Sequence, residues 1–501
     1  MSKKKKKKNT KIKPRVPRGF RDLFAGEIIP RDKMLQRIRR VYELHGFEPL
    51  ETSALEYVDV LGKFLPESDE PDGGIFALQD DDEQWISMRY DLTAPLSRVV
   101  SQYRLDLPNP FRRYQIGPVW RQEKPGPGRF RQFYQCDFDT VGSKSPAADA
   151  EVCSVMCKTL ETLGLEKGDY IIRVNNRKIL TGVLDAIGLE EDSTAEGAKH
   201  RLTILRAVDK LDRLGEDGVE ELLGKGRLDK SGDYTDGAGL PAEAADIVMQ
   251  FIRAGNHDRK QVCKRLRALV GESQTGLEGV EELEVIDELL TSMGYESDRV
   301  IFDPSVVRGL AYYTGPVFEA ELTFEVLDKK GNKRSFGSVA GGGRYDGLVK
   351  RFTGQEVPAT GASIGIDRLI AALQAKEMMD TKPPLGPIVV TVMDKKRLGD
   401  YQKMVAKFRD AGMPAELFLG NGGFPKQMKY ADARHSPVAI IAGSDEFDND
   451  QVSIKDLRLG AELSEEITDR EEWIKNQPAQ VTVPMDEMVS ETQKILDRYT
   501  K

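Results

Sequence analysis

Apolar residues recur along this chain in two rhythms, one helical and one alternating. From Ile28 to His45 they fall on a single stripe, with Met34, Ile38, Val41 and Tyr42 three or four positions apart. Gly46 stands where glycine commonly ends a helix, and Phe47 to Thr52 then reads as a strand. Gly73 to Leu78 and Trp85 to Arg89 predict two more strands around the acidic turn Asp80 to Glu83. The second runs into Tyr90-Asp91-Leu92-Thr93-Ala94-Pro95, where a helix is expected with Thr93 as its cap. A carboxylate at such a strand end, Asp91, suits a ligand's ammonium group and suits helix capping equally well.

The densest pattern follows. Phe111 to Glu123 and Phe130 to Asp139 predict a hairpin around Lys124-Pro125-Gly126-Pro127-Gly128-Arg129. Alternation puts Arg121 and Glu123 on one face, and Phe133, Gln135, Asp137 and Asp139 together on one face of the returning strand. A face of this kind makes a poor core. It fits a solvated sheet surface or the floor of a site for a charged planar ligand, and Phe133 among the polar groups favours the floor.

An Ala-rich helix is expected from Ser143 to Leu165 and a strand from Tyr170 to Val174. Residues 180–298 change character to Lys-, Glu- and Asp-rich helical segments, which predicts an insertion. Beyond it, Val300 to Phe302 is a short strand leading to Arg308-Gly309-Leu310-Ala311-Tyr312-Tyr313-Thr314-Gly315. Adjacent strand residues point to opposite faces, so Tyr312 and Tyr313 cannot both be core filler. Strands are predicted over Pro316 to Thr323 and Ser335 to Ala340, with a strand passing into a helix over Ser363 to Ile370. Gly341 to Gly343 either lets backbone approach a ligand or makes a tight turn. No Gly-Lys-Ser/Thr follows, so it is not a phosphate loop. After the linker Thr381 to Pro387, strands and helices alternate from Ile388, which implies a small α/β domain with a largely parallel core.

Composition narrows the class. A chain of 501 residues suggests roughly three domains at ~150 residues each. A charged fraction of 31%, a mean hydropathy of −0.46 and no apolar run near ~20 residues predict a soluble protein with no membrane span. No signal peptide is visible, and the four cysteines lie in no Cys-x-x-Cys spacing, so a cytoplasmic protein with reduced thiols is expected. Cys153 and Cys157 lie one helical turn apart and read as helix packing. The four scattered histidines argue against a His-based triad or a zinc site. The lysine run from Lys3 to Lys8 predicts a disordered basic tail, residues 1–15, either solvated or held loosely on RNA phosphates.

Several of these stretches together resemble one family. Arg121-x-Glu123, the loop, and Arg129-x-Arg-Gln-Phe133-x-Gln135 are similar to motif 2 of class II aminoacyl-tRNA synthetases. Arg308-Gly-Leu-Ala-Tyr-Tyr313 and Ala340-Gly-Gly-Gly-Arg-Tyr345-Asp resemble the two signature peptides of the histidyl-tRNA synthetases. Thr360 to Arg368 resembles the Gly-x-Arg ending of motif 3, and Lys426 to Ala431 with Val452 to Leu457 resembles the anticodon-binding domain of several class II enzymes.

The resemblance implies an α/β (α+β) architecture: an antiparallel-sheet catalytic domain of the class II type with a helical insertion, then a C-terminal α/β anticodon-binding domain. Its implied boundaries are 16–179 and 299–380 for the catalytic core, 180–298 for the insertion, 381–387 for the linker and 388–501 for the last domain. It further implies an ATP-dependent histidine–tRNA ligase that is a homodimer in the cytoplasm, with ATP, Mg2+, L-histidine and tRNA(His) as partners. Arg121 and Arg308 would serve the reacting phosphate. Glu123, Phe133 and Arg368 would join Arg121 in holding ATP, with Mg2+ bound mainly through the phosphates rather than by a protein metal site. Asp91, Thr93 and Gln135 would hold the amino acid's ammonium end, and Asp139 and Tyr313 its imidazole, with Leu92 also in the histidine site. Arg308, Tyr312, Gly342, Gly343 and Tyr345 would complete the histidine site. The alternative is a non-catalytic paralogue that regulates histidine biosynthesis. Ala311 replaces an acidic residue usual in the signature, and Ser53 a proline usual in motif 1.

Overall fold

The structure is a computed structural model that describes residues 12–61, 74–126, 129–189, 195–228, 232–255, 258–307, 313–327, 333–347, 349–379, 385–466 and 479–499. Arg308, Ala311 and Tyr312, and the lysine run, lie outside the described residues. The described chain divides into two compact units, residues 12–23 with 30–379 and residues 24–29 with 385–499.

The larger unit is built on an eight-stranded sheet. Its spatial order is Glu48–Pro49, Phe111–Trp120, Gln132–Val141, Ala359–Gly365, Ser338–Arg344, Pro316–Leu322, Tyr170–Asn176 and Val300–Phe302. The six inner strands pair antiparallel, and only the two short edge strands join in parallel. The expected strand Phe47 to Thr52 is reduced to Glu48–Pro49. Gly341 to Gly343 is not a turn but lies inside the strand Ser338–Arg344. A Cβ on Gly342 would stand 2.1 Å from the Gly361 carbonyl oxygen, so the neighbouring strand leaves no room for a side chain there.

One face of the sheet is covered by the helix Pro146–Thr162, capped by Ser145, whose hydroxyl accepts the Ala147 N–H. Cys153 and Cys157 are buried on this helix as free thiols, in keeping with the packing role expected of them. The described part of the stretch 195–292 folds as five helices with a small hairpin, Gly226–Leu228 against Tyr234–Asp236. Its last helix, Gln274–Ser292, packs on the helix Arg177–Ala186, where a Cβ on Gly182 would meet Gly276 Cα at 2.4 Å. Val280, Leu283 and Ile286 thereby share one continuous core with Val174, Phe302 and Phe318 of the sheet.

In the smaller unit five strands are ordered Ala415–Leu417, Ile388–Val390, Val438–Ile441, Gln451–Asp456 and Gln480–Pro484. The first three are parallel and the last two join antiparallel, so the sheet is mixed rather than largely parallel. The reason is connectivity: helices return the chain between the first three strands, whereas the Ser444–Asp448 helix is too short for a crossover.

Candidate active site

The floor of the site comes from register. Arg113 lies opposite Asp139, Gln115 opposite Asp137, Gly117 opposite Gln135 and Val119 opposite Phe133. The next strand continues these rows, with Gly361 beside Asp139, Ser363 beside Asp137 and Gly365 beside Gln135. Gly343 then pairs with Gly361, and Gly341 with Ser363. Residues paired across strands share a face, so acids and an amide stand in line with side-chain-free positions that open the floor to a ligand.

Arg121 follows the strand Phe111–Trp120. Its Nε donates to the Tyr90 carbonyl at 3.0 Å, and its guanidinium carbon lies 5.2 Å from the centre of the Phe133 ring, a cation–π contact. Glu123 accepts from Arg129 Nε at 2.6 Å and lies 3.9 Å from Arg121.

Asp91, not Thr93, caps the next helix. Asp91 Oδ1 accepts the N–H groups of Thr93 at 3.1 Å and Ala94 at 2.8 Å, and Thr93 is itself the first helical residue. An aspartate two residues ahead reaches those amides directly, so the threonine hydroxyl is not needed. Burial pushes the Asp91 carboxyl above its usual range, opposed by the Ala94 N–H and by Arg121.

Deeper in the floor, Gln135 Nε2 donates to Ser363 Oγ at 2.5 Å, while its Oε1 is buried with no hydrogen-bond partner among the described residues. Asp139 accepts the Tyr345 hydroxyl through Oδ1, and its Oδ2 lies 2.8 Å from Arg113 Nη2. That second contact is a charge pair without the angles of a hydrogen bond. Burial, chiefly, raises the Asp137 carboxyl to about 7 against the pull of Arg113.

A cleft of about 1230 Å³ opens over this floor. It is lined by Asp91, Thr93, Arg121, Glu123, Phe133 and Gln135, together with Tyr313, Gly342 and Arg368 from the distant second half of the unit. Arg368 sits at the start of the helix Ile366–Ala375 and donates to the Ser338 carbonyl. Leu92, Asp139, Gly343 and Tyr345 are buried behind the cleft surface rather than lining it. Gly343 nevertheless shapes it, because a Cβ there would stand 2.7 Å from the Tyr313 ring.

Sequence reasoning passed over Arg113, Ser363 and Gly361. The signal that reveals Arg113 is the hairpin register, counted outward from the turn to the residue opposite Asp139.

Comparison with known proteins identifies the family. The family profile for histidyl-tRNA synthetase matches residues 19–369, and that for an anticodon binding domain matches residues 387–495. The chain is 59% identical over 483 residues to the histidine–tRNA ligase of Cereibacter sphaeroides, covering 96% of this chain and 97% of that one. It is 58% identical over 494 residues to that of Dinoroseobacter shibae, covering 98% and 99%. The crystal structure of histidyl-tRNA synthetase from Nostoc sp. PCC 7120 is similar with a TM-score of 0.72 and 30% identity, over 97% of this chain and 100% of that one. On these matches and on the fold beneath them, the chain belongs to the histidyl-tRNA synthetase family.

Proposed function

We infer that this chain is a histidine–tRNA ligase. The carboxylate of L-histidine attacks the α-phosphate of ATP, forming histidyl-adenylate and releasing diphosphate. A terminal hydroxyl of tRNA(His) then attacks the activated carbonyl, and AMP leaves. One observation carries the reading: Arg121, Phe133, Gln135, Asp91, Tyr313 and Arg368, drawn from separate stretches of sequence, face a single cleft.

Activation brings two anions together and piles charge on phosphoryl oxygens, which fixed cations relieve. We assign Arg121 to the α-phosphate, and Arg308 to the same centre on the strength of its signature peptide. Phe133 offers its ring to adenine and Arg368 closes the other side. Because Arg121 lies over that ring, stacking of the base requires the guanidinium to swing off it onto the phosphate. Glu123 takes the adenine amino group.

Gln135 Oε1, unpartnered among the described residues, and the Asp91 carboxylate suit an ammonium group, with the Thr93 and Ala94 amides holding Asp91 in place and Leu92 behind it. Asp139 and Tyr313 take the imidazole, and Tyr312, Gly342, Gly343 and Tyr345 complete the wall. A ring held by hydrogen bonds at both ends is separated from analogues that lack one partner.

Among the described residues no three His, Cys, Asp or Glu side chains form a group suited to a metal ion. We assign Mg2+ mainly to the phosphate oxygens of ATP, with Glu123 nearby, where it would screen the charge of the triphosphate.

We assign residues 16–179 and 299–380 to catalysis, 180–298 to an insertion, 381–387 to a linker, 388–501 to anticodon binding and 1–15 to a basic tail. Among the described residues no helix is long and apolar enough to cross a membrane, and we place the enzyme in the cytoplasm. A homodimer is supported by the small sheet of Leu55–Tyr57, Trp85–Met88 and Ala77–Gln79, which exposes Leu55, Tyr57 and Leu78 on one face.

The test is histidine-dependent exchange of diphosphate into ATP, with Arg121→Ala and Arg308→Ala as controls. Each variant should lose about 10³–10⁵ in rate, the scale of arginines in phosphoryl transfer. A wild-type protein without histidine-dependent exchange overturns the reading.

A further inference from the structure

Arg113 is fully buried, yet its guanidinium is poorly hydrogen-bonded. Nη2 donates to the Leu92 carbonyl at 3.0 Å and meets Asp139 at 2.8 Å, while Nε and Nη1 have no hydrogen-bond partner among the described residues. Other buried arginines are used differently. Arg259 ties the Tyr295 and Val300 carbonyls together beside Asp287, and Arg344 ties those of Ser143 and Ser145 beside Asp149. Those two are struts. Arg113 brings a charge to the floor of the cleft and ties down only one carbonyl, the one that adjoins Asp91.

The charge has an evident counterpart. Asp139, Asp137 and Asp91 crowd this floor, and burial pushes all three carboxyls upward while Arg113 pulls each of them back. Removing Arg113 would leave Asp139 without a compensating charge, and once histidine closes the site to water the cheapest remedy is a proton taken up with the ligand.

We propose that Arg113 is a positioning residue that sets the charge of the imidazole subsite: by neutralising Asp139 from behind, it makes the site accept histidine with an uncharged ring. The proposal rests on the reading above in which Asp139 meets the imidazole. With Arg113 present, histidine binds without taking up a proton above the ring's ordinary pKa of about 6.5. Without it, carboxylate and ring share one extra proton, and binding weakens about tenfold for each pH unit on the alkaline side.

The groups that face the pair come from several elements. Tyr42 of the helix Ala25–Leu44 and Tyr345 are phenols held above their usual range by burial and so stay neutral. Arg121 acts on Asp91, and Arg89 and Asp137 act on one another. Tyr313 lies over Gly343 in the same row. Asp137 titrates near neutrality itself, so the comparison is made in an Asp137→Asn background.

The experiment measures KM for histidine in the diphosphate exchange reaction between about pH 6.5 and 9, a window that opens at the ring's own pKa. In Arg113→Gln the ratio of its KM to that of the parent should climb about tenfold per pH unit, whereas Arg113→Lys should give a constant ratio. Arg113→Met replaces the Gln variant if the latter does not melt cooperatively. A merely structural role raises KM by the same factor at every pH, and that flat ratio in the uncharged variant overturns the proposal. Absence of exchange in the parent would instead refute the ligase reading, so the two failures are distinguishable.

Discussion

Gly361 lies directly against Asp139: a Cβ on this glycine would stand 2.3 Å from the aspartate's Oδ1 and 2.4 Å from the Phe138 carbonyl oxygen. The two are paired across adjacent antiparallel strands, so the bare backbone at Gly361 is what lets the Asp139 side chain lean across the floor. Gly361→Ala should displace the carboxylate from both Arg113 and Tyr345. Overpacking of this kind costs about 1–3 kcal/mol of stability. KM for histidine should rise while KM for ATP holds, and equal changes in both constants would count against the assignment of this row to the amino acid.

Asp91 carries two tasks that substitution can separate. Asparagine retains an oxygen for the Thr93 and Ala94 amides and loses only the charge, whereas alanine loses both. Asp91→Asn should therefore melt near the parent but bind histidine poorly. Asp91→Ala should bind poorly and also lose about 1 kcal/mol, the usual worth of a cap. Calorimetry beside exchange kinetics checks this, and identical melting losses in the two variants would show that the cap contributes little.

Asp137 gives a pH dependence of definite sign. Its carboxyl ionises at about 7 in the fold against 3.8 ordinarily, so the folded chain holds a proton that the unfolded chain releases earlier. That contribution to stability is present in full below the ordinary value and is lost as pH rises through about 7. Asp137→Asn cannot ionise, so it should gain on the parent as pH rises. The difference in Tm, variant minus parent, should be larger near pH 8 than near pH 5, values on either side of this carboxyl's titration at about 7. A difference independent of pH would mean that the carboxyl is not held up by the fold.

The exposed face of Leu55, Tyr57 and Leu78 predicts self-association. Sedimentation velocity should show a dimer for the parent and a monomer for a Tyr57→Asp, Leu78→Asp double variant, because charges placed in an apolar interface must be desolvated. A parent that sediments as a monomer at micromolar concentration would remove the dimer from the reading.

Local pattern reached a good part of this molecule. The alternation in Phe130 to Asp139 by itself puts Phe133, Gln135 and Asp139 on one face, because side-chain direction in a strand depends only on neighbours in sequence. The helix ending at Gly46, the buried pair Cys153 and Cys157, and the β/α alternation after Ile388 were legible for the same reason.

Tertiary structure decided what depends on partners far along the chain. Gly341 to Gly343 could be a turn or a strand until the neighbouring strand Ala359–Gly365 supplied ladder partners and excluded side chains. The helix Gln274–Ser292 reads in sequence as part of a separate insertion, yet the Gly182–Gly276 contact joins its core to that of the sheet. Arg113 looked like one more strand arginine until pairing set it against Asp139 and burial stripped it of water. Composition and alternation determined which residues face together, but register and burial determined which of them meet and what charge they hold, since both are set by contacts between distant segments and by the solvent those contacts exclude.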